Sequence, residues 1–332
     1  MFPRVAVLIL TYNGLRWIPR CLSSVAKTRY ANFDTFVVDN GSRDGSAEYV
    51  SKHFPSVKLV RFKDNLGFAR AYNQAIRQVE AEYVVLLNQD TEVLASNWLK
   101  DLVKCVHGNR DVAAATCKMV SFQNHRILDS VGGAGVRYWI GFADIGKYQS
   151  DNGQFDDGFE PFSFCGGAAI VRRDLFLSSG GFDEKYFLYY EDVDLSWRFR
   201  LQGRHIRFAP GAVIGHDWVP SVSAKKLYWC HRNLLRTILK NCGSSLWWAV
   251  HNYLIYSFIL MISFVFNARQ YWLSVIKALA WNLINLSGTY RSRINVQANR
   301  LVGEEEILDL IYPWHIREMP SHGILWKLLR SH

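Results

Sequence analysis

Val5-Ala6-Val7-Leu8-Ile9-Leu10-Thr11-Tyr12-Asn13-Gly14 opens the chain with six consecutive apolar residues and closes on a polar break. A short unbroken apolar run of this kind reads as a strand buried on both faces. The same unit recurs outward from it. Residues 15–28 carry apolar side chains at helical spacing, and a strand at 35–38 ends on Asp39-Asn40-Gly41-Ser42. A strand at 57–61, a helix at 68–79 and a strand at 82–87, ending on Asn88-Gln89-Asp90, follow. Strands alternating with helices at this spacing predict an α/β chain with a parallel sheet covered on both faces. Ligands of such sheets bind beyond the carboxyl ends of the strands. All three polar clusters fall at such ends, more than turn chemistry alone requires.

From residue 113 the rhythm changes. A strand at 113–120 precedes a Gly- and aromatic-rich stretch at 132–164, then a strand at 165–172 that opens at Gly166-Gly167. A helix within 183–203 and short strands at 206–208 and 212–214 complete the expected elements. The organisation read from this is 1–112 and 113–225 as two halves of one domain, and 226–332 as a helical region.

The chain has 332 residues, 49% apolar and 20% charged, which excludes disordered and fibrous classes. Its net charge of +10 is unevenly placed. Residues 151–194 hold ten acids against three bases, whereas 198–240 hold nine bases against Asp217 alone. The acidic block suits a cation and proton abstraction; the basic one suits phosphates or an anionic membrane. No nucleic-acid motif accompanies the charge, so no nucleic-acid partner is expected. Six scattered cysteines without metal spacing, and a start with no secretory pattern, predict a reducing, cytoplasmic setting. Residues 246–266 form an apolar run long enough to cross a bilayer, with Trp247, Trp248 and Tyr253 near one end. Residues 271–286 read as its amphipathic companion. Membrane contact, spanning or interfacial, is expected, with a buried helical hairpin as the alternative.

Two places can carry chemistry. Asp90 stands at a strand tip between Asn88 and Thr91, suited to a hard divalent cation, although an Asp there can also cap a helix. Residues 180–195 hold Asp183, Glu184, Glu191, Asp192 and Asp194 among aromatic rings. If Glu191 opens a helix, a carboxylate beside other acids and apolar rings can serve as a base; acids favouring the helix dipole are the plainer reading. His216, after an apolar strand, gains interest only if the fold brings it to Asp90.

These residues resemble glycosyltransferase family 2, inverting enzymes of the GT-A fold, and within it the rhamnosyltransferase-like branch of bacterial surface-polysaccharide synthesis. The resemblance rests on Val7-Leu8-Ile9-Leu10-Thr11-Tyr12-Asn13, Val38-Asp39-Asn40-Gly41-Ser42, Asn65-Leu66-Gly67-Phe68-Ala69-Arg70-Ala71-Tyr72-Asn73, Asn88-Gln89-Asp90, Cys165-Gly166-Gly167, Gly181-Phe182-Asp183-Glu184 through Glu191-Asp192, and His216, in order over residues 4–236. It implies a Rossmann-like nucleotide-binding sheet with a smaller acceptor-side region and a membrane-associated C-terminal helical segment. Thr11, Tyr12, Asn13 and Asp39 would hold the base and ribose of the donor. Asn65, Gly67, Arg70, Asn73, Asn88 and Gln89 would line its pyrophosphate and sugar. Asp90 would close the metal-binding DxD, whose first carboxylate is Asn88 here, and His216 would join it on Mg2+ or Mn2+. Asp192, with Glu191 beside it, would be the catalytic base. The implied partners are a dTDP- or UDP-linked sugar, rhamnose favoured, and a glycan or lipid-linked glycan at the cytoplasmic face of the membrane, held peripherally or by one C-terminal segment. A homo-oligomer is compatible with this. Rival readings are a nucleotidyltransferase, which should carry a Gly-rich basic loop where Thr11-Tyr12-Asn13-Gly14 stands, and a non-catalytic sugar-binding or membrane scaffold.

Overall fold

In the computed structural model, which describes residues 2–136, 141–218, 223–267 and 269–311, the apolar runs become the centre of one large sheet. The first half alternates as the sequence predicts: β1 (Val5–Thr11), α1 (Ile18–Val25), β2 (Phe33–Asp39), α2 (Ser46–His53), β3 (Lys58–Arg61), α3 (Gly67–Gln78) and β4 (Tyr83–Asn88). Then come β5 (Thr91–Val93), α4 (Trp98–Val106), β6 (Val112–Ser121), β7 (Leu128–Ser130), β8 (Gly133–Val136), β9 (Gly141–Asp144), β10 (Ala168–Arg172), α5 (Arg173–Ser178), α6 (Glu191–Leu201) and β11 (His205–His216). Five helices end the described chain: α7 (Ala224–Asn241), α8 (Leu246–Asn267), α9 (Arg269–Ile284), α10 (Leu286–Ala298) and α11 (Glu304–Ile311).

The strand order is β3-β2-β1-β4-β10-β6-β11-β5, with β7 alongside β6. β1 runs parallel to both β2 and β4, so chain direction across the sheet reverses beside it. Thr11 stands opposite Asp39 and Leu10 opposite Asn88, which brings the three polar clusters to one edge. Side chains of β1 alternate between two cores. Val5, Val7 and Ile9 pack with Trp98 and Leu102 of α4, while Ala6 and Leu8 pack with Phe68 and Tyr72 of α3 and with Phe182. The sheet continues without a break from β4 through β10 to β6, so the two halves drawn at 112/113 share one layer.

Three expectations change in detail. The short strands at 206–208 and 212–214 are one strand, β11, whose register on β6 shifts between Ala209 and Val213. Pro210 lies in that gap and has no N–H to offer the ladder. The strand at 165–172 pairs only from Ala168, because residues 165–167 form a turn closed by the Ala168 N–H on the Cys165 carbonyl (3.2 Å). The stretch at 132–164 contains the β8–β9 hairpin; its residues 137–140 lie outside the described residues, as does the end of the C-terminal region from 312 onward. The apolar run at 246–266 is α8, the one described helix long and apolar enough to cross a membrane by length and composition.

α7 is bound to the segment before α6 by a buried ionic network. Asp183 Oδ2 accepts from Arg236 Nη2 (2.8 Å) and Lys240 Nζ (2.6 Å), and Lys240 Nζ lies 2.9 Å from Asp194 Oδ1. Burial alone would raise the Asp183 carboxyl, but the Lys240 and Arg236 charges outweigh it and hold it far below the usual range. Because the folded value is depressed, this contribution is complete above about pH 4 and is lost only as acid titrates the folded carboxylate. Lys240→Met leaves Asp183 with Arg236 and Asp194 with Arg198, but removes the cation that stands between the two buried carboxylates. It should destabilise the protein by about 3–5 kcal/mol, read as a fall in denaturation midpoint at neutral pH.

Candidate active site

The carboxyl ends of β1, β2 and β4 are built from side chains that tie the turns together. Gln89 Oε1 accepts from the Thr11 hydroxyl (2.6 Å) and the Tyr12 N–H (3.0 Å). Asn13, at φ +48°, accepts the Arg43 N–H on its Oδ1 (2.9 Å). Asp39 is buried; Oδ1 accepts the Ser42 N–H (3.0 Å) and Oδ2 lies 3.6 Å from Arg61 Nε. Tyr12 is exposed above them. The result is a fixed concave edge with one exposed ring.

The donor-side residues divide. Asn65 Oδ1 accepts from Asn40 Nδ2 (3.1 Å) and from the Gly67 N–H (2.9 Å). Gly67 sits at φ +77°, where a Cβ would meet the Phe187 carbonyl at 2.5 Å. Both residues therefore shape the entry to α3. Arg70 is exposed, 3.8 Å from Glu184. Asn73 corrects the sequence expectation: it is buried, donating to the Phe182 carbonyl (2.8 Å) and accepting the Phe182 N–H (2.9 Å). An amide engaged on both sides brackets the Gly181-Phe182 turn and is not presented to a donor.

Asp90 and His216 do meet. β11 runs antiparallel to β5 with His216 opposite Thr91, and the Asp217 N–H donates to the Asp90 carbonyl (2.8 Å). His216 Nε2 lies 3.5 Å from Asp90 Oδ1, while its Nδ1 is 2.7 Å from Asp129 Oδ2. Asp129 also accepts from Lys147 Nζ (2.8 Å), which bonds Asp144 (3.2 Å) and sits over the Trp218 ring at 3.9 Å. Burial would lower the His216 value, but its hydrogen bond to Asp129 and the nearby Asp90 carboxylate outweigh that and push it up to about 9. Asp129, Asp144 and Lys147 were not found from the sequence. The one trace was an acid inside the short, largely apolar run Ile127-Leu128-Asp129-Ser130-Val131.

Asp192 reaches the same edge from α6. The Gly166 N–H donates to its Oδ2 (2.8 Å) and the Val193 N–H to its Oδ1 (2.8 Å). The next residue, Gly167, accepts the Asn88 N–H on its carbonyl (2.9 Å). Burial raises the Asp192 carboxyl, the Gly166 and Val193 bonds pull it back, Asp144 adds to the rise, and the balance lies at about 6. The buried thiol of Cys165 feels Asp144, Asp192 and Asp129 together, which places these carboxyls in one neighbourhood. Glu191 corrects the expectation of a catalytic companion. It is buried, its Oε2 has no hydrogen-bond partner, and burial followed by Asp192 pushes its carboxyl well up. Burial thus disfavours its ionised form, which is the form a base needs. The residues before it, Tyr189 and Tyr190, are both left-handed at φ +71° and +70°. Tyr190 meets Phe142 edge-on (6.2 Å), and Tyr189 and Phe187 both lie against Trp229 of α7.

The donor set fits a hard cation of two protein ligands. The 3.5 Å between Asp90 and His216 exceeds a hydrogen bond and is close to the ~3 Å that separates neighbouring ligands at ~2.1 Å from one ion. Asp129 fixes the imidazole from behind, as outer partners of metal-bound histidines do. Among the described residues no three His, Cys, Asp or Glu side chains cluster to hold an ion unaided, so phosphate oxygens and water would complete the shell. A cavity of ≈ 160 Å³ opens beside His216, lined also by Asp129, Gln123, Tyr148 and Trp218. That is room for a small group only, below the usual volume of a ligand site.

Known proteins share the family and the fold of this chain. The family model described as Glycosyl transferase family 2 matches residues 6–178, ending before Asp192 and His216. The O-antigen biosynthesis protein RfbC of Myxococcus xanthus is 28% identical over 59% of this chain, a match that spans 16% of its own length. The N-acetylglucosaminyl-diphospho-decaprenol L-rhamnosyltransferase of Mycobacterium tuberculosis is 25% identical over 63% of this chain and 75% of its own. Among solved structures, the mannosyltransferase PcManGT from Pyrobaculum calidifontis, in complex with GDP-Man and Mn2+, superposes with a TM-score of 0.57 at 19% identity, covering 94% of this chain and 88% of that one. S. aureus TarS 1–349 gives 0.53 at 18%, covering 89% of each chain. The GT-A fold expected from the sequence is the fold observed.

Mn2+ binding in the presence of UDP or dTDP, followed by electron paramagnetic resonance, tests the pairing. Asp90→Asn and His216→Ala should each weaken it by at least ~10-fold, and Asp129→Asn by about 10-fold through the misdirected imidazole. Unchanged affinity in Asp90→Asn and His216→Ala would remove both from the cation site.

Proposed function

The chain belongs to glycosyl transferase family 2, and from that premise we propose that it transfers a sugar, rhamnose favoured, from a dTDP- or UDP-linked donor to a hydroxyl of a lipid-linked glycan, with inversion. The observation that carries this is the Asp192 carboxyl, held by two backbone N–H groups and poised at about 6 beside the strand ends. A value near working pH suits a general base, whose ionised form must be abundant yet still basic. A binding protein without chemistry has no use for such tuning.

In the proposed step Asp192 Oδ accepts the proton of the acceptor hydroxyl as that oxygen bonds to the anomeric carbon. The bond from that carbon to the diphosphate breaks on the opposite face, and the nucleotide leaves with the electron pair. A bound Mg2+ or Mn2+ supplies Lewis-acid charge to the departing diphosphate. The protein side is preorganised: Asp90 and His216 are held at fixed spacing, and Asp39, Tyr12 and Gln89 shape the nucleotide edge. The mycobacterial relative, an L-rhamnosyltransferase of N-acetylglucosaminyl-diphospho-decaprenol, supports a lipid diphosphate acceptor and, with it, a place for the reaction at a membrane face.

Asp192→Asn should lower kcat by about 10³-fold while donor affinity stays within a factor of about two. Because the base works ionised, wild-type kcat/KM should rise with pH through about 6 and then level. A donor–acceptor assay across this range decides the role; retained turnover in the variant, or a flat profile, rejects it.

A further inference from the structure

α8 is built inside out. Ala249, Tyr253, Ser257, Leu260 and Phe264, at helical spacing, face the protein, and this inner face includes two hydroxyls. The outer face presents Phe258, Ile259 and Ile262 to the surroundings, with Trp247 81% exposed near its start. α9 adds exposed Leu273, Leu283 and Ile284, and α10 adds Leu286, Tyr290 and Ile294 at every fourth position. Exposed apolar side chains in this number, carried by three successive helices, mark an interaction surface.

Charge selects the occupant. Between Asp217 and Glu304 there is no Asp or Glu, while Lys or Arg occurs ten times. Arg236 and Lys240 are spent on Asp183, but Lys225, Lys277 and Arg291 are exposed. Two copies of such a face repel each other; anionic lipid headgroups attract it.

Packing selects the orientation. The start of α8 lies on Leu234, Leu235 and Ile238 of α7, and its far end lies on Leu227 of α7 and Val275 of α9. α8 therefore runs antiparallel along the whole of α7. α7 in turn is fastened to the segment before α6: Arg232 donates to the Lys185 carbonyl (2.9 Å), Asn233 to the Leu188 and Tyr189 carbonyls (2.9 and 2.7 Å), and Arg236 and Lys240 to Asp183. A spanning α8 would draw those cations into hydrocarbon, at prohibitive cost.

We infer that α8, α9 and α10 form a platform lying in the plane of an anionic bilayer leaflet, immersed by its outer face and never crossing. This deepens, and rests on, the membrane-side reading of the function above. One helix, α7, then links the immersed platform to the segment that carries the base.

Flotation of the full chain with sealed vesicles tests it. The protein should float with phosphatidylcholine–phosphatidylglycerol vesicles and only weakly with phosphatidylcholine alone. Phe258→Ser/Ile259→Ser, on the outer face, should lower partition by at least ~30-fold with an unchanged melting temperature. Added to preformed vesicles, Ser244→Cys and Asn267→Cys, at the two ends of α8, should both react with an impermeant maleimide. Protection of one end until detergent is added would show a crossing and overturn the proposal. So would failure to float, or a double variant that only converts a dimer to a monomer. Donor hydrolysis measured without vesicles reports on the transferase reading separately, since the outer-face variants leave it unchanged.

Discussion

The site depends on an absent side chain. Asp192 reaches the strand ends because residue 166 is glycine: a Cβ there would stand 3.1 Å from the Phe68 ring and 3.3 Å from Asp192 Oδ2. The turn does two jobs with adjacent backbone groups. Its Gly166 N–H takes the carboxylate, and its Gly167 carbonyl takes the N–H of Asn88 at the end of β4. The Asp192 carboxyl, on a late helix, is thereby set against residues from the first ninety. The same approach excludes water from one side of the carboxyl and so contributes to its raised value.

Around this turn the segment from Ser179 to Tyr190 is held from three directions. Asn73 brackets it from α3, Arg198 donates to the Ser179 and Gly181 carbonyls (2.6 Å each), and Asn233 takes the Leu188 and Tyr189 carbonyls from α7. Buried ion pairs such as Lys240 with Asp183 and Asp194 add little net stability against apolar replacements. Their use here is positional. They make the C-terminal helices and the catalytic segment one body, and sites on such supported elements keep their geometry.

Much of this was legible in the sequence, and the rest was hidden for identifiable reasons. β1 and β4 read clearly because strands covered on both faces are apolar along their length, and their polar ends stood out by contrast. The meeting of His216 with Asp90 was not legible, because it depends on β11 pairing with β5, a strand of three residues. Asp129 and Lys147 were hidden in the same way: each is a lone charge whose meaning comes from partners far along the chain. Family likeness suggested that Asn65, Gly67 and Asn73 line the donor; the structure shows what each does for the backbone, Asn65 and Gly67 shaping the entry to α3 and Asn73 bracketing Phe182. Identity of residue survives in a motif more readily than the reason for it. Glu191 shows the converse, since two adjacent acids look equivalent in sequence, and what tells them apart is the pair of backbone N–H groups that only Asp192 accepts among the described residues.

Tyr189 and Tyr190 carry a last consequence. Two successive side-chain-bearing residues in the left-handed region cost about 1–3 kcal/mol each, a strain that glycine would relieve. The rings offset it by anchoring on Phe142 and Trp229, from opposite flanks of the fold. Foldability and anchorage therefore pull this dipeptide in opposite directions. An engineer screening for heat resistance alone would be drawn to glycine here, and would trade away the two rings that pin the entrance of the catalytic helix.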